Sequence, residues 1–581
     1  MFKKKPDPFY FPCQEIPIQK KDKWRYLDLT TRHQLKIASG RMGFIAFWFL
    51  LFYAIIIGRL FYLTVMNYEG RSFQMRGTQT NYALSRRNIL DRNGIILATS
   101  LPMWDLSVNP ALVRDRPDAF EIAQKIAGAL GMNQEEVYKK ITSLNGFEYI
   151  KRGIVPAEYD AVNWLGYYFL SAHPIEKRVY PQGSLIAHLL GGVDIDNIGI
   201  AGIEKAYDAE LMDKDVQLSI DVSVQEMTHN ALVQGIEKFK AEGGLALVMD
   251  VNNGEVLASV SLPDYDPNVP VGKATKERFN QATLGTYEFG SVFKLFNTAL
   301  GLESKTITVN DVFDASKPLK LKGAKAIEDY RGQNRPLTVP EILIHSSNIG
   351  SAQIGLKIGW EKQKEFFGRF GFYDKLPIAL PERGQPQYIK KEKWNEVESS
   401  RLSYGYGISV TPLHLIAGVA SLVNGGLYRT PTFIKGGNEG KSEMRVISED
   451  TSEKMRHMMW AVVNYELKKE NPAALYAAGG KTGSKQALNN GRYVEGSLRT
   501  SFVGVFPMND PKYIVLVSYD DPKKVKETFM FNTAGWNAKA TGLQIIGEIA
   551  PYFGVEPILE WKQPAYIERA IERSLAAKKR R

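Results

Sequence analysis

Apolar and polar positions divide the chain into three stretches of different character. From Met42 to Gly58, seventeen residues rich in Phe, Leu and Ile carry no charge; Arg59 interrupts, and Leu60 to Met66 is again uncharged. A bilayer span needs about 20 such residues, and an arginine at its end can reach the interface. The pattern predicts one transmembrane helix at 42–66. A buried core helix seldom runs so far without a polar face. A cleaved signal peptide would have a shorter polar lead and a small-residue cleavage site.

Beyond the span the periodicity changes. Residues 67–108 read as short strands and turns, with Asn93-Gly94 between apolar runs as a hairpin signal. Residues 117–145 have a helical pattern, and 177–210 are punctuated by glycine. A second unit begins near Leu218, with a helical stretch at 222–240. Leu245–Asp250 and Glu255–Val260 then flank the turn Asn253-Gly254, a hairpin. A second hairpin, Ser501–Phe506 with Tyr513–Tyr519, lies far downstream; helical patterns fill much of the interval and return at 535–553. Strands at both ends with helices between predict an α+β fold, an antiparallel sheet with a helical insertion.

Length and composition narrow the class. At 581 residues, 44% apolar and 24% charged, there is material for about three domains. Disorder, collagen-like repeats and a multi-pass membrane protein are excluded. The single Cys13 excludes an intrachain disulfide and a cysteine-rich metal site. The net charge of +11 first suggests a nucleic-acid binder. Its distribution argues otherwise: +6 lies in residues 1–41 and +4 in 560–581, so the remaining 518 residues are near neutral. Five Lys/Arg precede the span within 20 residues and three follow it, which orients the N-terminus to the cytoplasm. The C-terminal stretch reads as a basic tail, ordinarily disordered.

Three separated motifs carry candidate chemistry. Ser291-Val292-Phe293-Lys294 opens an apolar helix, where positions i and i+3 share a face, so Lys294 can approach the Ser291 hydroxyl. A serine needs a base at neutral pH, and a desolvated lysine can be one. Ser346-Ser347-Asn348 supplies a second hydroxyl able to relay a proton, and an amide able to hold a substrate carbonyl or the lysine. Lys481-Thr482-Gly483-Ser484 would place a cation and hydroxyls beside a substrate carboxylate, with Gly483 allowing close backbone approach. A phosphate loop would need Gly at 475, where Leu475 stands. Each motif alone reads more readily as a helix cap, a turn or a glycine-rich strand. Their order, Ser-x-x-Lys, Ser-x-Asn, Lys-Thr-Gly, is the signature of penicillin-binding proteins and class A β-lactamases.

On these residues the chain resembles the class B penicillin-binding proteins, in particular their division-specific, FtsI-type branch. Arg87–Ala98, Arg178-Val179-Tyr180-Pro181 and Gly202-Ile203-Glu204 resemble the family's pedestal. Leu262–Asn268 resembles the segment before the nucleophile, and Ser403–Pro412 the division branch. The resemblance implies a cytoplasmic basic tail at 1–41 and the anchor at 42–66. A mixed pedestal (dimerisation-type) domain would follow at 67–216. A serine β-lactamase-like transpeptidase domain at 217–558 and a basic tail at 559–581 would complete the chain. It implies D,D-transpeptidation of peptidoglycan stem peptides, with Ser291 as nucleophile and Lys294 as base. Ser346 and a lysine would protonate the leaving D-Ala, and Asn348 would complete the catalytic set. Lys481 and Thr482 would bind the donor carboxylate. The backbone N–H groups of Ser291 and Ser484 would form the oxyanion hole beside Gly483. β-Lactams would acylate Ser291. No metal or other cofactor is required, and the seven histidines form no ligand-spaced pair. The implied location is the bacterial inner membrane at the division septum, single-pass, with the catalytic domain periplasmic. The implied partners are an FtsW-type glycosyltransferase and other divisome membrane proteins, with no nucleic acid.

Two positions depart from the family pattern: Phe289 where proline is frequent, and Ser484-Lys485 where threonine and a small residue are usual. Lys485 is expected at the cleft rim. The competing readings are an elongation-type class B protein and a non-catalytic divisome scaffold. A class A β-lactamase would lack the span and pedestal, and a β-lactam sensor would have several spans.

Overall fold

The computed structural model describes residues 44, 47–58, 86–269, 276–389, 394–466, 471–489, 492–558 and 560–579, and divides into two units, 1–82 and 83–581. In the first unit the described residues are helical, and their large apolar side chains, from Phe44 and Trp48 to Ile57, are exposed. No helix among the described residues is long and apolar enough to cross a membrane; the apolar stretch 42–66 extends beyond them.

The second unit opens with a hairpin. Strands β1 (Ile89–Leu90) and β2 (Ile96–Val108) flank the Asn93-Gly94 turn, and Gly94 takes the positive φ that the turn demands. β2 then pairs along ten residues with β4 (Leu170–Val179) and, on its other edge, with β3 (Glu148–Ile154). Between them the 117–145 pattern resolves into two helices, α1 (Ala119–Leu130) and α2 (Gln134–Ile141). They part at Gly131, whose φ of 62° lets the chain leave α1 in the left-handed region. α1 buries Ile122, Ala123, Ile126 and Leu130, helically spaced, against Leu106, Ile150 and Val137, a core separate from the rest. β5 (Val216–Gln217) returns to pair in parallel with β1.

Three sequence segments converge in the pedestal. Glu204, fully buried, receives Arg86 Nε at 2.6 Å and Arg178 Nε at 2.7 Å. Arg178 also donates to the carbonyls of Arg86 and Arg87.

The catalytic part is built on one antiparallel sheet. Helix α3 (Val222–Phe239) precedes the hairpin β6 (Gly243–Asp250) and β7 (Val256–Leu262). The insertion supplies α4 (Lys294–Glu303), α5 (Val339–Ile344), α6 (Asn348–Ile358) and α7 (Glu449–Asn464). Strands β8 (Gly479–Asn489), β9 (Arg492–Phe506) and β10 (Tyr513–Asp520) follow, then α8 (Ala538–Tyr552). The order is β8-β9-β10-β6-β7, with Asp250 opposite Tyr513 and Gly243 opposite Asp520. The apolar runs are continuous because both faces are covered. On β6, Leu245, Leu247 and Met249 join the core of the helical insertion; Ala246 and Val248 join the core under α3 and α8.

Pedestal and sheet domain are sewn together by side chains standing in for backbone. Asn268 accepts from the Tyr180 N–H at 2.9 Å and donates to the Tyr180 carbonyl at 3.0 Å. In the first hairpin turn, Asn93 donates to Asp221, which caps the start of α3.

One reading gives way. Residues 565–579 are not a loose basic tail but a helix, α9 (Ala565–Lys579), which buries Ile567, Ala570 and Ser574. Apolar and small residues recur at the helical spacing 567, 570, 571 and 574, and that stripe outweighs the terminal charge.

Candidate active site

The Ser-x-x-Lys motif straddles two kinds of helix. Gly290–Phe293 is a 3₁₀ turn, and α4 begins at Lys294. In a 3₁₀ turn residues three apart eclipse one another, so Ser291 and Lys294 lie on one face of the turn. Ser291 is half-buried; Lys294 is fully buried. Beneath the turn, Phe293 and Phe296 pack at 5.4 Å, and Phe296 meets Phe372 at 5.1 Å, edge to face.

The Lys294 side-chain nitrogen points at the second motif. Its Nζ donates to the Ser346 carbonyl at 2.5 Å, to Ser346 Oγ at 3.2 Å and to Asn348 Oδ1 at 2.8 Å. Asn348 thus holds the lysine. α5 is capped by His345, and the next residue, Ser346, has a φ of 55° in the left-handed region, a conformation a serine keeps only where its surroundings impose it. Those surroundings include Asp329, which sequence reasoning missed. Its carboxylate accepts from Ser347 Oγ and from the N–H groups of Asn348 and Ile349 at the start of α6. No local pattern around Asp329 announces this; the contact is made across loops.

Lys481 approaches from the sheet. It is almost completely buried on β8 and donates to Ser346 Oγ at 3.0 Å. The Ser346 hydroxyl therefore lies between the two lysine side-chain nitrogens. Burial, then the charge of Lys481, holds Lys294 well below the usual lysine range, opposed in part by Asp329. Burial, then the charge of Lys539 on α8, brings Lys481 down to about 7. Lys539 has no motif around it and could not be singled out from sequence.

The remaining predicted residues sit at the junction of β8 with the Ser291 turn. Gly483 has no room for a side chain: a Cβ there would lie 2.2 Å from the Phe289 carbonyl oxygen. A Cβ on Gly290 would stand 3.4 Å from the Ser484 carbonyl oxygen, so the backbones of Ser484 and the Ser291 turn are neighbours. Thr482 is half-buried and Ser484 exposed; Ser484 Oγ accepts from the Ala534 N–H at 2.9 Å. Gly405, at φ 82°, passes equally close to this turn, since a Cβ would fall 2.1 Å from the Gly290 carbonyl oxygen.

Lys485 is not at the rim. It is buried, with Nζ 3.1 Å from Glu288 Oε2 and over the Tyr406 ring. Strand alternation puts it on the face of Lys481 and Gly483. Glu288 Oε1 in turn accepts from the Gly407 N–H at 2.8 Å. Burial brings Lys485 down to about 8 against the opposing pull of Glu288. Phe289 fills the core beneath the turn.

Comparison with known proteins settles the family. The penicillin binding protein transpeptidase domain matches residues 244–539, and the penicillin-binding protein dimerisation domain matches 83–235. The chain belongs to the penicillin-binding protein transpeptidase family. This penicillin-binding protein is 34% identical over 488 residues to the probable peptidoglycan D,D-transpeptidase FtsI of Caulobacter vibrioides, covering 81% of the chain and 82% of the relative. It is 30% identical to stage V sporulation protein D of Bacillus subtilis, covering 81% and 79%. It is 27% identical to the peptidoglycan D,D-transpeptidase FtsI of Escherichia coli, covering 84% and 88%. A peptidoglycan synthetase structure from Bifidobacterium adolescentis shares the fold, with a TM-score of 0.64 at 22% identity over 83% of this chain and 97% of that one. As a class B penicillin-binding protein, the chain is an enzyme of the serine acyl-transfer type that binds β-lactams and acts on peptidoglycan.

Proposed function

We propose that this penicillin-binding protein cross-links septal peptidoglycan during division through an acyl-enzyme on Ser291. The placing of the Ser346 hydroxyl between Lys294 and Lys481 carries the reading of the site. Lys294, kept neutral by burial, takes the Ser291 proton as Oγ attacks the penultimate D-Ala carbonyl of a donor stem. The backbone N–H groups of Ser291 and Ser484 receive the oxyanion, usually a large term in such reactions. Collapse of the tetrahedral intermediate breaks the peptide bond, and D-Ala leaves with a proton passed along Lys294, Ser346 Oγ and Lys481. An acceptor amine then attacks the ester and regenerates Ser291. Thr482 and Lys481 hold the donor carboxylate, and Asn348 steadies Lys294.

The apolar stretch 42–66, with basic residues ahead of it, supports a single inner-membrane anchor with the catalytic part on the periplasmic side. An FtsW-type polymerase and other divisome membrane proteins are the partners this layout suits. The similarity to FtsI proteins supports the septal role; the similarity to a sporulation protein leaves another branch of the class as the second reading.

Purified full-length protein in detergent should be labelled covalently by a fluorescent penicillin, and Ser291→Ala should not be. Labelling of the alanine variant at the wild-type level removes Ser291 as nucleophile. In cells depleted of the native copy, Ser291→Ala should block septation; normal septa would exclude a catalytic role there, and loss of elongation alone would favour the second reading.

A further inference from the structure

Helix α9 meets the active site from behind. Its Ser574 lies 2.9 Å from Nε2 of His345, the residue immediately before Ser346. The Ser574 hydroxyl donates its one proton to the Ala570 carbonyl at 2.7 Å, so its oxygen accepts and the His345 Nε2 carries the hydrogen. The residue before it, Arg573, has its Nε 3.4 Å from Glu341 Oε1, which also pairs with Arg335 at 2.8 Å. Glu341 is fully buried, and its other oxygen closes the capping box of α5 by accepting from Thr338 N–H and Oγ1. α5 has only six residues, too few to hold its own geometry. α9 therefore grips it at both ends: at the cap through Glu341, and at the exit through His345. At that exit stands Ser346, in the left-handed conformation that must be imposed. Two further anchors keep α9 in place. Lys578 pairs with Glu466 at 2.7 Å, and ahead of the helix Trp561 stacks on His457 at 4.6 Å.

We propose that α9 is a positioning element of the Ser346–Asn348 arm, acting on Ser346 through the Ser574–His345 hydrogen bond. This rests on the roles assigned above to Ser346 and Lys481. Ser574 and His345 are positioning residues: they act on Ser346 through the backbone that joins it to His345.

The test uses the full-length protein in detergent and a fluorescent penicillin over a concentration series, separating the dissociation constant from the acylation rate constant. Ser574→Ala should slow acylation about tenfold, since small displacements of a reacting group cost that much or more. The dissociation constant and the fraction of molecules labelled should stay at wild-type values, and Ser574→Thr should restore the rate. A purely structural role for α9 would lower the labelled fraction or the melting temperature and leave the rate constant of the surviving molecules alone. The proposal is overturned if Ser574→Ala acylates at the wild-type rate, or if Ser574→Thr is as slow as alanine. Should Ser574→Ala not fold, His345→Leu, which removes the donor of the same hydrogen bond, decides: a slowed acylation supports the proposal and an unchanged rate overturns it. Wild-type protein that fails to label refutes the reading of the site instead.

Discussion

Lys294, Lys481 and Lys539 form a succession of lysines in which each disfavours the charged form of the one before it. The base has to be neutral, whereas a lysine that binds a carboxylate has to be charged. Lys481 lies at about 7 because it is buried and because Lys539 is near. Removing the Lys539 charge lets Lys481 keep its proton to higher pH. Lys539→Gln is therefore expected to move the alkaline limb of the acylation profile upward, read as the second-order penicillin acylation constant from pH 6 to 10. A limb that stays in place or moves down would show that Lys481 does not titrate under the control of Lys539. At this scale the sequence was most informative where chemistry restricts the residue type at fixed spacing, as in the three motifs. It was silent on Asp329 and Lys539, whose importance comes only from which groups folding brings near them.

Around the nucleophile, separate elements share single contacts. Lys485 of β8, Glu288 ahead of the 3₁₀ turn, and Tyr406 with Gly407 of the 403–409 segment meet in one buried cluster. A buried pair that loses one partner leaves an uncompensated charge, at a cost of about 3–5 kcal/mol. Glu288→Gln and Lys485→Met should each lower stability by roughly that amount, followed in urea through competence for penicillin labelling. The double variant should recover more than half of the loss; additive losses would mean that the pair is not coupled. The reading of Lys485 at the cleft rim overlooked the period of two along β8, which puts it on the buried face with Lys481. The partner, 197 positions earlier, was not readable. α9 was readable, from its stripe at 567, 570, 571 and 574. The four terminal cations drew attention from the stripe, which is why the segment first reads as a tail.

Across the whole molecule, the pedestal and the sheet domain each have a core, and a few side chains join them. Glu204 is central to the pedestal, held between Arg86 and Arg178. Glu204→Gln would take the counter-charge from Arg178 and leave Arg86 with Asp208 alone, with an expected loss of about 3–5 kcal/mol. Since neither arginine touches the catalytic residues, the melting temperature should fall while the acylation rate constant of the folded protein is unchanged. A slowed rate constant at full folding would mean that the pedestal tunes the chemistry. The α+β character and both hairpins followed from apolar runs flanking turn residues. The sheet order did not, because nothing local says that β10 inserts between β9 and β6.

That order has a consequence for how the molecule is made. β6 and β10 pair across 263 positions of sequence. At about 5–20 residues per second, a growing chain waits some tens of seconds between producing β6 and producing its partner. Throughout that interval the hairpin of β6 and β7 presents one open edge, apolar on both faces. The helical insertion can cover one face as it emerges, since Leu245, Leu247 and Met249 belong to its core. The edge itself closes only when Tyr513–Asp520 arrives. The catalytic sheet is thus completed last, and the nascent chain is most open to wrong strand pairing just before its active site exists.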